Sequence, residues 1–431
     1  MKDIHRSKNR ISSDFKIMKN PFLFLFLCVF FTATPVTYGH SQTGESGKII
    51  TGFVVSGLKR TKPHVVDTLL EPFVGRGADS LDLKEVHAAI LDTGILEPLT
   101  VEIADTEGGA TVLAVSVREK WSIFPMPIFF AGSGNINGGL FFVDTNAFGL
   151  NDKFFLGGMY GVSGWLLMSA YMHSGRRGFP GWHLSASFER SERNDTNQRD
   201  EDIRRFGIES GGVSAGLSHN FTEALNAGLS FSYRQLMLKE SDAALSPPDS
   251  DARAFGVNTD LSLRKSYWDG FLLSQESLSA DYGFTVGLEG FTFHKLSLRG
   301  TYQKSLKPGF RVNLHTGLLY QPDVPVLFES SPQAAQVNIL PASFNARHYA
   351  GASFGFEKYL FKISTGTVSF MTAYQLVFSE GPVLGSCFDH GLACSLVFYL
   401  SKLAIPAIGL GLAYDVSSAH LLFSFSLGMS F

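Results

Sequence analysis

His420-Leu-Leu-Phe-Ser-Phe-Ser-Leu-Gly-Met-Ser-Phe431 decides the fold class. In an extended chain Phe423, Phe425, Leu427, Met429 and Phe431 fall on one side, with Ser424, Ser426, Gly428 and Ser430 on the other. A strand built this way meets lipid on one face and water on the opposite one. Soluble sandwiches also alternate, but their termini are usually polar and frayed rather than aromatic. The stretch therefore predicts a membrane-crossing β-strand.

The same pattern recurs upstream. Trp182, Leu184, Ala186 and Phe188 alternate with His183, Ser185, Ser187 and Glu189, and Leu225, Ala227, Leu229, Phe231 and Tyr233 alternate with Asn226, Gly228, Ser230, Ser232 and Arg234. Sixteen such runs fit between Trp121 and Phe431, the first over 121–131 and the last over 420–431. That gives about nineteen residues per strand with its share of loop, which suits roughly 9–11 membrane-embedded residues each. The prediction is an all-β transmembrane barrel of about sixteen antiparallel strands with a polar interior. The polar stretches 191–202, 239–251 and 321–348 fall at one end of this barrel and short turns at the other, as expected for long outer loops and short periplasmic turns. The ending, with Gly428, Met429 and Phe431, resembles the carboxy-terminal signature of bacterial outer-membrane barrels.

The amino-terminal end points to export. Lys19 and Asn20 lead into the apolar run Pro21 to Phe31, about half the length a helix needs to cross a bilayer. Residues 1–39 read as a cleaved signal peptide, with Met18 as an alternative start. Its removal leaves Cys387 and Cys394, too few for a disulfide scaffold, and spacing alone leaves open whether those two pair. A net charge of −3, 17% charged residues and no polybasic run exclude the footprint of a nucleic-acid partner. The 45% hydrophobic content and mean hydropathy of +0.10, without a second long apolar stretch, suit a barrel rather than a helical membrane protein.

Between signal and barrel, residues 48–120 show mixed periodicity. A short strand ends at Val55, Gly57 turns the chain, and Val65, Val66, Leu69 and Leu70 form a helical stripe. Ser80 or Asp82 can cap a second helix carrying Leu83, Val86, Ile90 and Leu91, which Gly94 ends. Strands over 99–104 and 111–117 complete a small α+β unit of order β-α-α-β-β. Val55-Ser-Gly-Leu-Lys-Arg-Thr61, Thr93-Gly-Ile-Leu96 and Val115-Ser-Val-Arg-Glu119, in this order before a barrel, resemble a POTRA domain, with Gly57 and Thr61 at its turn. Such domains are the periplasmic modules of outer-membrane assembly and secretion barrels.

The whole mature chain is similar to the BamA/TamA-like superfamily, also called bacterial surface antigens, with one POTRA domain over 48–120 and a barrel over 121–431. In that superfamily the loop corresponding to 321–348 folds into the lumen and carries an Arg-Gly-aromatic motif. Arg347-His348-Tyr349 occupies its place here, with His348 instead of glycine, and the strand over 366–379 lacks the family's aspartate. By alternation Ser353, Gly355, Glu357 and Tyr359 face inward, so Glu357 is the expected partner of Arg347. The resemblance implies an outer-membrane protein with its POTRA domain in the periplasm. It also implies lipid bilayer and unfolded or partly folded client polypeptides as partners, with periplasmic chaperones or accessory lipoproteins beside them. The implied role is insertion or translocation of those clients; the alternative is a passive pore or structural surface-antigen barrel.

No catalytic signature accompanies this. Gly212-Val-Ser-Ala-Gly216 and Gly351-Ala-Ser-Phe-Gly355 match Gly-x-Ser-x-Gly, but both lie in strand runs rather than in a strand-turn-helix elbow. The histidines lack paired ligand spacing and no phosphate loop occurs, so the expectation is a non-enzyme without metal or cofactor.

Overall fold

The computed structural model describes residues 48–427, apart from 133–134, 163, 174, 176–179, 223, 241–244, 270–271, 333–335, 365, 382–384 and 401–406. The expected signal peptide and Gly428, Met429 and Phe431 lie outside the described residues.

β1 (Ile50–Ser56), helices α1 (Pro63–Leu70) and α2 (Leu83–Asp92), β2 (Leu96–Asp105) and β3 (Thr111–Glu119) form an amino-terminal module. Its sheet order is β1-β3-β2, with β1 parallel and β2 antiparallel to β3. Pro63 starts α1 where no amide donor is needed, and Asp82 caps α2 by accepting the Lys84 N–H at 2.9 Å. Gly94 ends α2 with φ +72°, the left-handed geometry that glycine adopts without strain. The core joins Ile50, Val66, Leu70, Val86, Ile90, Leu113, Val115 and Val117, while Leu91, expected in the stripe, is exposed.

Sixteen strands follow. They are β4 (Ile123–Gly132), β5 (Asn135–Ala147), β6 (Asp152–Gly161), β7 (Gly164–His173), β8 (Gly181–Thr196), β9 (Asp202–Asn220), β10 (Leu225–Lys239) and β11 (Ala252–Asp269). The second half comprises β12 (Leu272–Gly287), β13 (Thr292–Lys307), β14 (Phe310–Tyr320), β15 (His348–Ile363), β16 (Gly366–Gly381), β17 (Gly385–Leu400), β18 (Ala407–Asp415) and β19 (His420–Leu427). Each pairs antiparallel with the next, and β19 returns to β4 to close the barrel. Strand pairing satisfies the backbone without an open sheet edge, which is what a bilayer demands. Some of the stretch expected as the 191–202 loop is instead strand, because β8 runs to Thr196 and β9 starts at Asp202.

Burial separates the two faces. Leu229, Phe231, Phe255, Leu263, Phe354, Leu412 and Phe423 are exposed on the outside, as side chains meant for lipid, whereas Ser210, Asn313, Ser353, Gln375 and Leu422 are buried inside. The polar interior predicted from alternation holds over much of β8 to β13, with Phe206, Ile208, Leu236 and Phe293 as apolar exceptions packed near the loop, and fails on β4 to β7. There Ile128, Phe141 and Val143 point inward and pack with Phe124, Met126, Phe155, Met159 and Met168. Leu140, Phe142, Leu156 and Leu167 occupy the opposite, exposed face of the same strands. Both faces of this quarter of the wall are apolar.

Candidate functional site

Three features stand out in this architecture: the joint between module and barrel, the loop inside the lumen, and the seam where the barrel closes. The joint begins at Gly57, whose φ is +93° and where an added Cβ would lie 1.9 Å from the Val117 carbonyl oxygen. Only glycine fits there. The turn it permits aims the backbone N–H groups of Lys59, Arg60 and Thr61 at the Glu119 carboxylate, with bonds of 2.8, 3.0 and 2.8 Å. Partial burial pushes the Glu119 carboxyl up, but these three donors outweigh it and hold the group below its ordinary pKa of 4.5.

The same turn grips the barrel. Arg60 forks onto Asp144 at 2.6 and 3.1 Å and also reaches Ser122 Oγ at 2.8 Å. Asn146 donates to Thr61 Oγ1 at 2.9 Å, and the Lys62 N–H donates to the Gly149 carbonyl at 2.8 Å. Gly57 and Thr61 thus sit at the hinge point between module and barrel. Arg60 and Asp144 were not among the residues expected to matter; a fork of this kind is a strong charge-assisted contact, but nothing in the sequence pairs residues so far apart.

The described residues of the 321–347 segment are packed inside the barrel. Val337, Ile339, Leu340, Phe344 and Ala346 are buried against Leu319, Tyr349, Val377, Ala413 and Leu422, and Leu327 with Phe328 packs near Phe206, Ile208 and Leu236. Polar bonds add register: the Asn338 N–H donates to Gln375 Oε1 at 2.7 Å, and Asn345 Nδ2 to Asp195 Oδ1 at 2.9 Å. A chain of charges ties the loop to β8 and β9. Asp195 accepts from Arg204 at 2.8 Å, Arg204 also donates to Glu329 at 3.2 Å, and Arg347 lies 3.6 Å from Glu329.

At the seam, the described residues pair Ser424–Leu427 with Phe129–Gly132. By contrast, the β16–β17 ladder runs the full length of both strands, from Gly366↔Leu400 to Gly381↔Gly385.

Comparison with known proteins places this architecture. No family model matches the chain, and no curated protein matches it in sequence. Among solved structures, CdiB from Acinetobacter baumannii superposes with a TM-score of 0.62 at 13% identity, over 89% of this chain and 74% of that one. BamA from Haemophilus ducreyi lacking POTRA domains 1–3 gives a TM-score of 0.58 at 11% identity, over 89% and 85%. CdiB from Escherichia coli gives 0.53 at 15% identity, over 92% and 93%. The chain has the BamA/CdiB barrel fold.

Within this BamA/CdiB-type barrel, the expected pairing of Arg347 with Glu357 does not occur. Glu357 lies ten positions after Arg347, which directly precedes β15, so about 33 Å of extended chain separates them, far beyond the reach of an arginine. Glu357 is fully buried and accepts from Arg311 Nη2 at 2.5 Å, Ser369 Oγ at 2.5 Å and Tyr399 OH at 2.8 Å. Arg347 takes Glu329 of its own loop instead. His348 turns outward, stacking on Tyr320 with centroids 4.7 Å apart, and its Nδ1 accepts the Gln321 N–H at 3.1 Å. Tyr349, next along the strand, is buried inside with the loop.

The two cysteines are not joined in a disulfide. Both lie on β17, seven positions apart, so they project from opposite faces about 23 Å from each other and cannot bridge. Of the carboxy-terminal signature, Phe423 is exposed on the outer face of β19. Ser214 bonds Ser185 at 2.8 Å and Ser353 is bonded by Gln375 at 3.3 Å, each in mid-strand. Among the described residues no His, Cys, Asp and Glu group has metal-holding geometry.

Proposed function

We propose that this is an outer-membrane protein that assists the insertion or translocation of client polypeptides, with residues 48–120 acting as a POTRA domain in the periplasm. The observation that carries the reading is a closed sixteen-strand barrel of the BamA/CdiB type joined through Arg60 and Asp144 to a small α+β module. The module has a usable edge. β2 is the outer strand of its sheet, and from Thr100 to Ala104 its far side has no strand partner among the described residues. An extended client can add to such an edge through backbone hydrogen bonds, which tolerate many sequences. β1, the other edge, is partly covered, because Ile50 exchanges backbone bonds with Gly75 and Arg76.

A photo-crosslinker at Glu102 in the intact protein tests this. Capture of unfolded client polypeptide at Glu102, and its absence from a crosslinker at the lipid-facing Leu140, is the expected result. Equal capture at both positions overturns it. Planar-bilayer recordings supply the second arm: the packed 321–347 loop should keep the resting conductance low, whereas a steady open conductance without client would favour the passive pore.

A further inference from the structure

At the end of the barrel away from the module, two carboxylates share one corner of the inner wall. Asp389 of β17 is 4% exposed, and Asp415, the last residue of β18, is fully buried. The register pairs Asp415 with Gly391, which sets it diagonally across the ladder from Asp389 and within its electrostatic reach. Among the described residues no lysine, arginine or histidine forms an ion pair with either. Two like charges buried side by side lack the counter-charge that such burial demands.

Their bonding differs. Asp415 holds the turn that follows it, accepting from the Ser417 N–H at 3.0 Å, the Ser418 N–H at 3.3 Å and Ser418 Oγ at 2.5 Å. Asp389 Oδ2 is buried and has no hydrogen-bond partner. A proton on that oxygen would turn it into a donor, and among the described residues no acceptor lies within its reach. Ser379 of β16 shares this condition. It is 1% exposed, pairs with Cys387 while Val377 pairs with Asp389, and so adjoins Asp389 on the same inner face with its own Oγ unbonded. Buried polar atoms seldom go without a partner. Here two of them, on neighbouring strands, stand beside a third oxygen group of negative charge.

We propose that this corner binds one hard divalent cation through Asp389 Oδ2, the Asp415 carboxylate and Ser379 Oγ. The donors are all oxygen, which suits calcium or magnesium rather than a thiolate-seeking metal. Only two of them are acidic. The corner is therefore not one of the groups of three or more His, Cys, Asp and Glu side chains that the described residues lack. The ion supplies the missing counter-charge and fastens β16, β17 and β18 to one another at this end. The β8–β9 turn reaches the same corner, because Ser418 Oγ also donates to the Gln198 carbonyl at 3.4 Å.

Isothermal titration of the full chain in detergent after EDTA treatment tests this, with calcium chloride as the probe and magnesium and zinc chloride as comparators. One calcium ion per chain is expected, bound about tenfold more weakly by D389N and about threefold more weakly by S379A. D260N alters another carboxylate pair of the inner wall, Asp260 opposite Asp281, and should bind calcium as the unsubstituted chain does. Calcium should also raise the midpoint of heat-modifiable gel migration by about 5 °C, and this shift should vanish in D389N. If D389N does not form a barrel, S379A and the unsubstituted chain decide the matter. Absence of calcium binding overturns the proposal, as does binding that S379A and D389N leave undiminished. Zinc bound in preference to calcium would move the ligands to the Cys387 thiol and overturn it too. Acid alone, without calcium, giving the same rise in midpoint would mean that a proton compensates the pair in place of a cation.

Discussion

The inner faces of β4–β7 and of the wall beyond β8 are produced by one alternation and carry opposite chemistry. On the outside, lipid imposes a single answer, so exposed Leu140, Leu167, Phe231 and Phe354 look alike all the way round. Inside, the wall is free to differ. From β8 onward it is stitched by charge, through Asp195, Arg204 and Glu329 above and Arg311 and Glu357 below, as well as by apolar contacts with the loop, whereas the described inward side chains of β4–β7 are mainly apolar. The polar wall therefore holds the barrel and its loop in one arrangement, and the apolar wall stays available.

The most severe way to disturb the polar wall is Glu357→Ala, which removes the carboxylate that faces buried Arg311 and accepts from Ser369 and Tyr399. It should cost about 3–5 kcal/mol, with the paired change Arg311→Met and Glu357→Leu costing less than either single loss. Urea titration followed by heat-modifiable migration reads this directly. A double variant as unstable as the summed singles would mean that the charges do not act as a pair.

Phe141→Ser probes the apolar wall. Phe141 is buried among Ile128, Val143 and half-buried methionines, so the expected loss is about 2 kcal/mol by the same titration. A loss matching that of Glu357→Ala would show that β4–β7 form a closed core instead of an available surface.

The joint should respond to pH. Because the Glu119 carboxyl sits below its ordinary value of 4.5, its stabilisation is fully present above that pH and is lost as pH falls through the depressed folded value. Hydrogen exchange of the Lys59, Arg60 and Thr61 amides should accelerate over that acid range in the native protein. In Glu119→Gln they should exchange quickly at neutral pH, with about 1–3 kcal/mol of protection gone. Unchanged exchange would separate the turn from the carboxylate.

Arg347→Ala should be the mildest change. The side chain is about one-third exposed and 3.6 Å from Glu329, so a loss under about 1 kcal/mol is expected. Proteolysis of the 321–347 segment should stay close to that of the unsubstituted chain because Arg204 still holds Glu329. Rapid cleavage would restore Arg347 as the principal pin.

Strand positions were legible because each strand separates lipid from lumen, which writes a period of two into the chain; β4 to β19 fall where that period placed them. The partner of Glu357 was not. Alternation reports which face a side chain occupies and nothing about its height along the barrel, so Arg347 and Glu357 shared a face while lying far apart. The apolar wall escaped for the opposite reason: Lys153-Phe-Phe-Leu-Gly-Gly-Met-Tyr160 and Trp165-Leu-Leu-Met168 have apolar residues on both parities, and alternation vanishes when both faces are apolar. The lost alternation was itself the signal. The Arg60–Asp144 fork left no trace of either kind.

β3 continues into β4 through Lys120 to Ser122, so the module hangs from the strand that flanks the seam. A tug on the module would reach β4 first if nothing else connected the two. The clamp at Asp144 and Gly149 changes the path of the load, handing it to the turn between β5 and β6, one strand behind the seam. Strands peeled sideways lose their hydrogen bonds singly, in succession, like a zip, whereas strands pulled lengthwise share the strain. The joint is thus a strain relief: while it is fastened, traction on the module bypasses the zip, and when it lets go, the zip takes the whole pull.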